Sequence, residues 1–314
     1  MSQNTGNTTA FIEAQQYSQF IIQNLQDGIL PDTFSRDVSD FGNGTLLNIP
    51  VVGTVTLQEV QEEQPLDYNA IDTGRATLTI TDYVGDAWSI SDVLRQDGSN
   101  IESLHALRGQ AGVYALQEHF ETRFLEACNR AQTDAADNKV AGFAHRVASA
   151  ETDNLISLDH FLAQKLAFDK AGVMGSGRIA IVDPVVGATI DGMYANAGVS
   201  YNPMFEGIVN EGFAREHKFV KNIFGWDIYT SNRLEKGSFG DGTTTVTDGV
   251  ANVFMCVASD QTKPIMRAWR QQPSVETERN VKLKRDEFDT VARFGLGAQR
   301  RDTLSVVVTD ATKY

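Results

Sequence analysis

The chain has 314 residues, 41% of them hydrophobic, which is enough to bury one elaborate core or two smaller ones. Its formal charge of −14 excludes a protein whose task is to grip nucleic acid phosphates over a basic surface. The charge is uneven, because residues 1–100 hold 14 acidic and three basic side chains whereas residues 261–301 hold ten basic and five acidic ones. This asymmetry reflects either differently solvated faces or self-association between an acidic part and a basic part of two copies.

The sequence predicts neither export nor membrane insertion. The first ten residues lack the basic and apolar regions of a secretory signal, and no apolar run approaches the roughly 18 residues of a membrane span. We therefore expect a soluble protein with no membrane partner. Cys128 and Cys256 lie far apart among apolar neighbours, which predicts two reduced and buried thiols.

The first 90 residues contain segments with little neighbouring chain to cover them. Apolar side chains that include Phe20 and Ile21 recur at helical spacing, so this segment either packs on its own domain or lies across another subunit. Residues 45–90 predict a long two-stranded excursion. Leu47, Ile49 and Val51 alternate on the way out, and Ala76, Leu78 and Ile80 alternate with threonines on the return. Its connection is too polar to be buried and is predicted to form a projecting acidic tip, with Glu59, Glu62, Glu63, Asp67 and Asp72.

A long helix is predicted next, over residues 99–131. Ser99 and Glu102 fit a capping box, and apolar residues then keep 3.6-residue spacing as far as Ala131. Gly109 and Gly112 interrupt the pattern, each at a cost of about 1 kcal/mol relative to alanine, which the close approach of another backbone would explain.

The segment from Ser157 to Pro184 reads as a helix, a glycine turn and a strand. The predicted apolar face of the helix consists of Leu158, Phe161, Leu162 and Leu166, and Gly172 marks its end. The strand follows at residues 178–182.

Beyond Pro184 the sequence predicts short helices and loops, including residues 186–194, and strands dominate from Met266 onward. Residues 237–249 are rich in glycine and threonine and predict an exposed loop. Strands are predicted at residues 225–229, 250–257, 269–282, 290–294 and 304–309. One long helix among many strands indicates an α+β protein.

The search for a catalytic or metal site finds no candidate. The glycines from Gly172 to Gly177 match neither dinucleotide-binding nor P-loop spacing, and Ser176 lacks the glycine two residues before it that a nucleophile elbow needs. The histidines and cysteines lack ligand spacing. We predict no catalytic residue, no cofactor and no metal.

Taken in order, residues 11–310 resemble the HK97-fold major capsid proteins of tailed bacteriophages. The resemblance rests on KAGVMGSGRIAIVDP, which is similar to the family's helix, turn and R-x-x-x-V-x-P strand, and on the strand GWDIYTSNRL. It rests most on the C-terminal series of a long strand (MRAWRQQPSVETERN), an aromatic-glycine segment, a basic pair and a last strand (DTVARFGLGAQRRDTLSVVVTD).

The resemblance implies an N-arm at 1–40, an E-loop at 45–90, and an A-domain at 153–263. It also implies a P-domain at 91–152 and 264–314, with residues 99–131 as its spine helix. The implied role is a virion subunit, assembled in the host cytoplasm, that forms hexamers and pentamers around double-stranded DNA. Implied partners are other copies of the chain, a portal and decoration proteins. The apolar segment of the arm predicts inter-subunit contacts of Phe20 and Ile21. The charge asymmetry predicts that Glu59, Glu62, Glu63 and Asp67 contact Arg279, Lys282, Lys284 and Arg285 of another subunit.

Two departures from the family pattern modify these expectations. Some members crosslink through a lysine on the E-loop, but residues 45–90 contain no lysine, so we expect a shell without covalent crosslinks. The arm begins almost at once, which predicts a separately encoded scaffolding protein. The alternatives are an encapsulin-type nanocompartment, which shares the fold, and a soluble α/β enzyme with a dispersed site.

Overall fold

The computed structural model describes residues 30, 32–40, 44–53, 57–59, 73–97, 101–196 and 219–313. The described helices are α1 (Asp92–Asp97), α2 (Ile101–Ala131), α3 (Leu158–Lys170) and α4 (Pro184–Asn196). The described strands are β1 (Arg36–Asp37), β2 (Leu46–Val52), β3 (Thr73–Thr79), β4 (Asp82–Ser91), β5 (Lys139–Val140), β6 (Phe143–Ala144), β7 (Arg146–Ala148), β8 (Arg178–Val182), β9 (Phe219–Ile223), β10 (Trp226–Thr230), β11 (Lys236–Gly240), β12 (Thr245–Cys256), β13 (Ile265–Asn280), β14 (Arg285–Ala298) and β15 (Leu304–Asp310).

A seven-stranded sheet in the order β7-β15-β12-β8-β10-β9, with β11 paired to β12, forms the larger core. Strand β8 is central and covered on both faces, which explains its uninterrupted apolar sequence. Ile179 and Ile181 face a cluster built with helix α2, whereas Ala180 and Val182 face a cluster built with α3 and α4.

A four-stranded sheet in the order β1-β13-β14-β4 lies against one side of α2. Phe120 of α2 stacks on Trp269 with ring centroids 5.0 Å apart and meets the edge of Phe294 at 5.2 Å. Further along, Phe124 and Leu125 belong to the cluster with the seven-stranded sheet. One long helix therefore joins both sheets, and its predicted extent is confirmed from Ile101 to Ala131.

Strands β2 and β3 form a separate antiparallel pair, which we call the ribbon. Its inner side chains, Leu47, Ile49, Ala76 and Leu78, pack on Met266 and Ala268 of β13, as the alternation predicted. Val51, predicted on the same face, is instead exposed. Strand β14 also touches the ribbon, and a Cβ on Gly295 would lie 2.5 Å from the carbonyl oxygen of Thr79. The aromatic-glycine segment of β14 therefore packs closely against the end of β3.

The ribbon is shorter than the predicted excursion of residues 45–90. Residues 82–91 form β4, which pairs along its whole length with β14 and belongs to the four-stranded sheet. The expected P-domain, which includes residues 264–314, groups the last strand, β15, with β13 and β14. Strand β15 pairs with β12 and β7 in the seven-stranded sheet, and not with β13 or β14.

One local prediction was wrong in part and another was wrong: of the predicted face of α3, Phe161 is buried and Leu158 packs on the core, but the two other leucines are not buried. Helix α3 buries Phe161, Ala167 and Phe168, while Leu162 and Leu166 are 43% and 45% exposed, because the helix turns its aromatic side chains towards Trp226 and Phe254. Residues 237–249 lie not in an exposed loop but largely in the β11–β12 hairpin, whose Val246 packs on Val306 and Val308.

Two other predictions concern buried thiols and membrane spans. Both cysteines are free and buried, as predicted. Within the described residues, no helix combines the length and apolar character needed to cross a bilayer.

Candidate assembly surfaces

Strands β13 and β14 form a long hairpin. Its turn, residues 281–284, follows the pairing of Asn280 with Arg285 and lies at one end of the four-stranded sheet. Asn280 shapes the turn, because its side-chain oxygen accepts hydrogen bonds from the backbone N–H groups of Lys282 and Leu283 at 3.2 and 3.1 Å. The N–H of Asp92 donates to the carbonyl oxygen of Lys284 at 3.0 Å. Helix α1 is thereby fixed beside the turn, and we call the two elements together the hairpin tip.

A network of charges holds the hairpin tip together. Arg279 donates in bidentate fashion to both carboxylate oxygens of Asp92 at 2.7 Å and also to Asp286 at 3.0 Å. Arg95 makes a second contact with Asp286. Hydrogen bonds from Arg279 hold the pKa of Asp92 and of Asp286 below their usual range. Both carboxylates therefore stay ionised at neutral and mildly acidic pH.

Apolar side chains project from the same tip. Val281 and Leu283 alternate with the two lysines of the turn and are 65% and 57% exposed, and Val93 and Leu94 of α1 are exposed beside them. Exposed apolar side chains that cluster within a polar surround indicate a contact surface. The sequence predicted the two lysines as contact residues but not these four apolar side chains. The alternation of apolar and lysine residues at 281–284, between two strands, could have indicated Val281 and Leu283.

The predicted contact residues fall into three groups. Phe20, Ile21, Glu62, Glu63 and Asp67 lie outside the described residues. Glu59 is described and exposed. The four basic residues are brought together at the hairpin tip, where Arg279 pairs with Asp92 and Asp286, and Arg285 pairs with Glu287.

The two lysines of the turn are the more available cations. Lys282 and Lys284 make no ion pair with any residue in the described part of the chain, and both side chains are exposed. Sequence reasoning could not separate them from Arg279 and Arg285, because the partner of Arg279, Asp92, lies 187 residues away in the chain.

The glycine-rich loop that precedes β8 is a structural element. Arg178 is 3% exposed and donates to the carbonyl oxygens of Met174 and Val173 at 3.0 and 2.8 Å and to Asp169 at 2.6 Å. Gly177 has φ +67°, and a Cβ there would lie 2.8 Å from the backbone of Ala258. The loop is closed by its own arginine and packed on a neighbouring turn, which leaves no cradle for a phosphate. Among the described residues, no cluster of histidine, cysteine or acidic side chains could hold a metal ion.

The chain matches one protein family and several solved structures. The model of a family described as phage capsid protein matches residues 75–309, well over half of the chain. A comparison with curated proteins gives no match. The capsid structure of cyanophage P-SCSP1u matches with a TM-score of 0.73 and 14% sequence identity, over 97% of this chain and 94% of that chain.

Other solved structures share the same fold at similarly low identity. The mature capsid of bacteriophage PhiM1 matches with a TM-score of 0.69 and 14% identity, over 96% of this chain and 93% of its own. A structure from Mycobacterium phage Che8 matches with a TM-score of 0.66 and 16% identity, over 96% and 98%.

Two sheets joined by one long helix, with a ribbon leaving the base of the smaller sheet, define an HK97-like capsid fold, as predicted. The chain belongs to the phage capsid protein family. It is therefore a structural protein of the virion capsid, and the family match favours this role over the nanocompartment and the enzyme.

Proposed function

We propose that copies of this chain form hexamers and pentamers that close into an icosahedral shell around packaged double-stranded DNA. The observation that carries the proposal is a capsid fold with elements that other described residues leave uncovered. The ribbon leaves the four-stranded sheet, and the hairpin tip exposes four apolar side chains. Leu162 and Leu166 add an exposed apolar pair on α3. A shell gives each of these surfaces a neighbour.

The other parts of the proposal concern DNA and partner proteins. A net charge of −14 is consistent with a shell wall that binds DNA phosphates only weakly. Weak binding leaves the genome free to enter and leave. We propose a separately encoded scaffolding protein, a portal and decoration proteins as partners, and assembly in the host cytoplasm. We also propose the N-arm, E-loop, P-domain and A-domain as functional divisions, with strand β15 assigned to the A-domain because it pairs in that domain's sheet.

The experiment for self-assembly is to express the full chain with and without the scaffolding protein and to examine the product by light scattering and negative-stain microscopy. We expect closed particles of uniform size in the presence of scaffold and irregular particles or sheets without it. A stable monomer or dimer under both conditions would contradict the shell. Uniform and correctly sized particles from the chain alone would contradict the need for scaffold.

We further propose that the acidic connection at the end of the ribbon contacts the hairpin tip of another subunit. Glu59, Glu62, Glu63 and Asp67 are the acidic partners, and the basic set comprises Arg279, Lys282, Lys284 and Arg285. Lys282 and Lys284 are the main basic residues of this contact. The two arginines already bind carboxylates of their own chain and would have to exchange them for carboxylates of the neighbour.

Charge reversal tests this contact. The double variant Lys282→Glu and Lys284→Glu should slow or abolish shell assembly, because like charges would then meet across the interface. Adding Glu62→Lys and Glu63→Lys should restore assembly. The matched control is Lys139→Glu with Arg301→Glu, which changes the net charge equally at two exposed positions outside the hairpin tip and α3. Equal assembly by the tip variant and the control would refute the contact.

A further inference from the structure

A cleft of about 520 Å³ lies between the N-terminal segment, helix α2 and strand β13. Its volume is in the range of about 300–1,000 Å³ that is typical of ligand pockets. One face of α2 forms the first wall, strand β13 forms the second, and residues 30–37 close one end. The side chains that define it are Leu30, Phe34, Val113, Gln117, Phe120 and Trp269.

The cleft is built into the fold by a break in the β13–β14 pairing. The register shifts between Gln271 and Ser274, on either side of Pro273. Proline cannot donate to the strand ladder, so a bulge forms where it stands. The bulge contributes Pro273 to the wall, and the stacked rings of Phe120 and Trp269 contribute an aromatic surface. The lining is therefore mixed, because these apolar and aromatic side chains share the cleft with polar and charged ones that include Glu121 and Arg267. Gln117 is exposed on α2.

The N-terminal chain is fixed at the edge of this cleft. The backbone N–H of Leu30 donates to the carboxylate of Glu121 at 3.1 Å. Glu121 is 3% exposed and also accepts hydrogen bonds from Ser231 at 2.6 Å and from Arg233 at 3.2 Å. Phe34 meets the ring of Tyr229 edge-on, with centroids 5.2 Å apart. Leu30, the first described residue, is therefore fixed at the edge of the cleft.

We propose that, in the unassembled subunit, residues 17–25 of the same chain dock as an amphipathic helix in this cleft. Tyr17, Ile21 and Leu25 recur every four residues, and Phe20 falls on the same helical face. Anchors at this spacing are how an amphipathic helix occupies a hydrophobic groove. The cleft takes the apolar side chains, while the polar face of the segment stays in water.

The reach of the chain selects its own segment as the occupant. Leu30 lines the cleft, and five residues span at most about 17 Å, so Leu25 cannot lie far from it. A short tether holds the segment at an effective concentration of about 1 mM or more, which exceeds that of a second copy in dilute solution. In a shell, neighbouring copies are held equally close, so the segment can exchange onto a neighbour as in domain swapping. The inference concerns the free subunit and goes beyond the proposed contact of Phe20 and Ile21 in the shell.

Disulfide trapping in the full chain tests the proposal. The variant Leu25→Cys with Gln117→Cys is oxidised at low protein concentration, and the products are separated on a non-reducing gel and mapped by mass spectrometry. The two natural thiols do not interfere, because both are buried. We expect an intrachain bond that forms about tenfold faster than in the control pair Leu25→Cys with Lys170→Cys. Lys170 is exposed on α3, which packs on the opposite face of the seven-stranded sheet from α2.

A third substitution tests whether the disulfide depends on docking of the segment or forms by random collision of the two thiols. Ile21→Asp removes the central apolar anchor and should reduce the rate of the Leu25→Cys, Gln117→Cys bond to that of the control pair. Equal rates in the two cysteine pairs, an unchanged rate with Ile21→Asp, or bonds formed only between chains would each overturn the proposal. Particle formation is scored separately by microscopy, so loss of the intrachain bond with normal shells refutes this inference and leaves the proposed function intact.

Discussion

At the scale of single residues, buried arginines fix loops that the sequence marks only as glycine-rich. Besides its hydrogen bonds, Arg178 lies 5.7 Å from the ring centroid of Phe168 and 5.8 Å from that of Trp226. Arg146 is 5% exposed and donates to the carbonyl oxygens of Asn129 and Gln132, at the C-terminal end of α2. Each guanidinium offers several donors in a fixed plane, so one side chain satisfies several backbone oxygens at once.

Replacing Arg178 by methionine should lower the free energy of unfolding of the subunit by about 2 kcal/mol, because two carbonyl oxygens and Asp169 lose a buried donor. Urea denaturation of the unassembled chain measures the change. The control is Lys170→Met on α3, at an exposed position where a change within about 0.5 kcal/mol is expected. An Arg178 variant as stable as this control would show that the loop does not depend on the arginine.

At the scale of elements, the ribbon and the hairpin tip depend on contacts between distant parts of the chain. The inner face of the ribbon could be predicted, because period-2 alternation marks a half-buried strand. Its length could not, since residues 82–91 alternate in the same way and only pairing with β14 assigns them to another sheet. Likewise, spacing alone placed Leu162 and Leu166 inside, whereas the aromatic side chains of α3 decide which face is buried.

Gly295→Ala should loosen the ribbon, because the added Cβ would meet the Thr79 carbonyl oxygen at 2.5 Å and force β3 away from β14. We expect a loss of about 1–3 kcal/mol in the free energy of unfolding and faster proteolysis within residues 53–72. Gly109→Ala is the matched control. A Cβ there meets nothing within 4 Å, so alanine in the helix should stabilise the chain by about 0.5–1 kcal/mol. Equal effects of the two substitutions would contradict the close approach.

The charge network of the hairpin tip predicts a defined response to pH. Because Arg279 lowers the pKa of Asp92 and Asp286 in the folded chain, its stabilising effect is fully present above their ordinary pKa of 3.8 and is lost as pH falls through the lower folded values. The difference in thermal stability between the natural chain and Arg279→Gln should thus be constant from pH 7 to 5 and shrink below pH 4. Lys282→Gln should show no such change, and a difference that disappears between pH 7 and 6 would contradict this account.

At the scale of the whole molecule, the architecture followed from the order of elements more than from any single motif. The long helix and strand β8 were predictable because each is continuous in sequence and buried against several partners. The arrangement of charges at the hairpin tip could be predicted only in part. Its cations are neighbours in the chain, but the carboxylates that neutralise Arg279 become neighbours only when the fold forms.

A shell of this protein should be held by noncovalent contacts alone. The excursion at residues 45–90 contains no lysine that could form an amide bond with an adjacent subunit. Mature particles boiled in detergent should therefore migrate as single chains on a denaturing gel. A ladder of multimers that survives both boiling and reducing agent would contradict this prediction.

The placement of the two cysteines bears on how such a particle survives outside a cell. Cys128 and Cys256 have no measurable solvent exposure, and burial raises the pKa of the Cys128 thiol, so the reactive thiolate hardly forms. Peroxide and dissolved oxygen attack accessible thiolates first. In a particle built from this fold these oxidants would meet no accessible cysteine, so burial within the subunit, and not a reducing environment, protects both thiols.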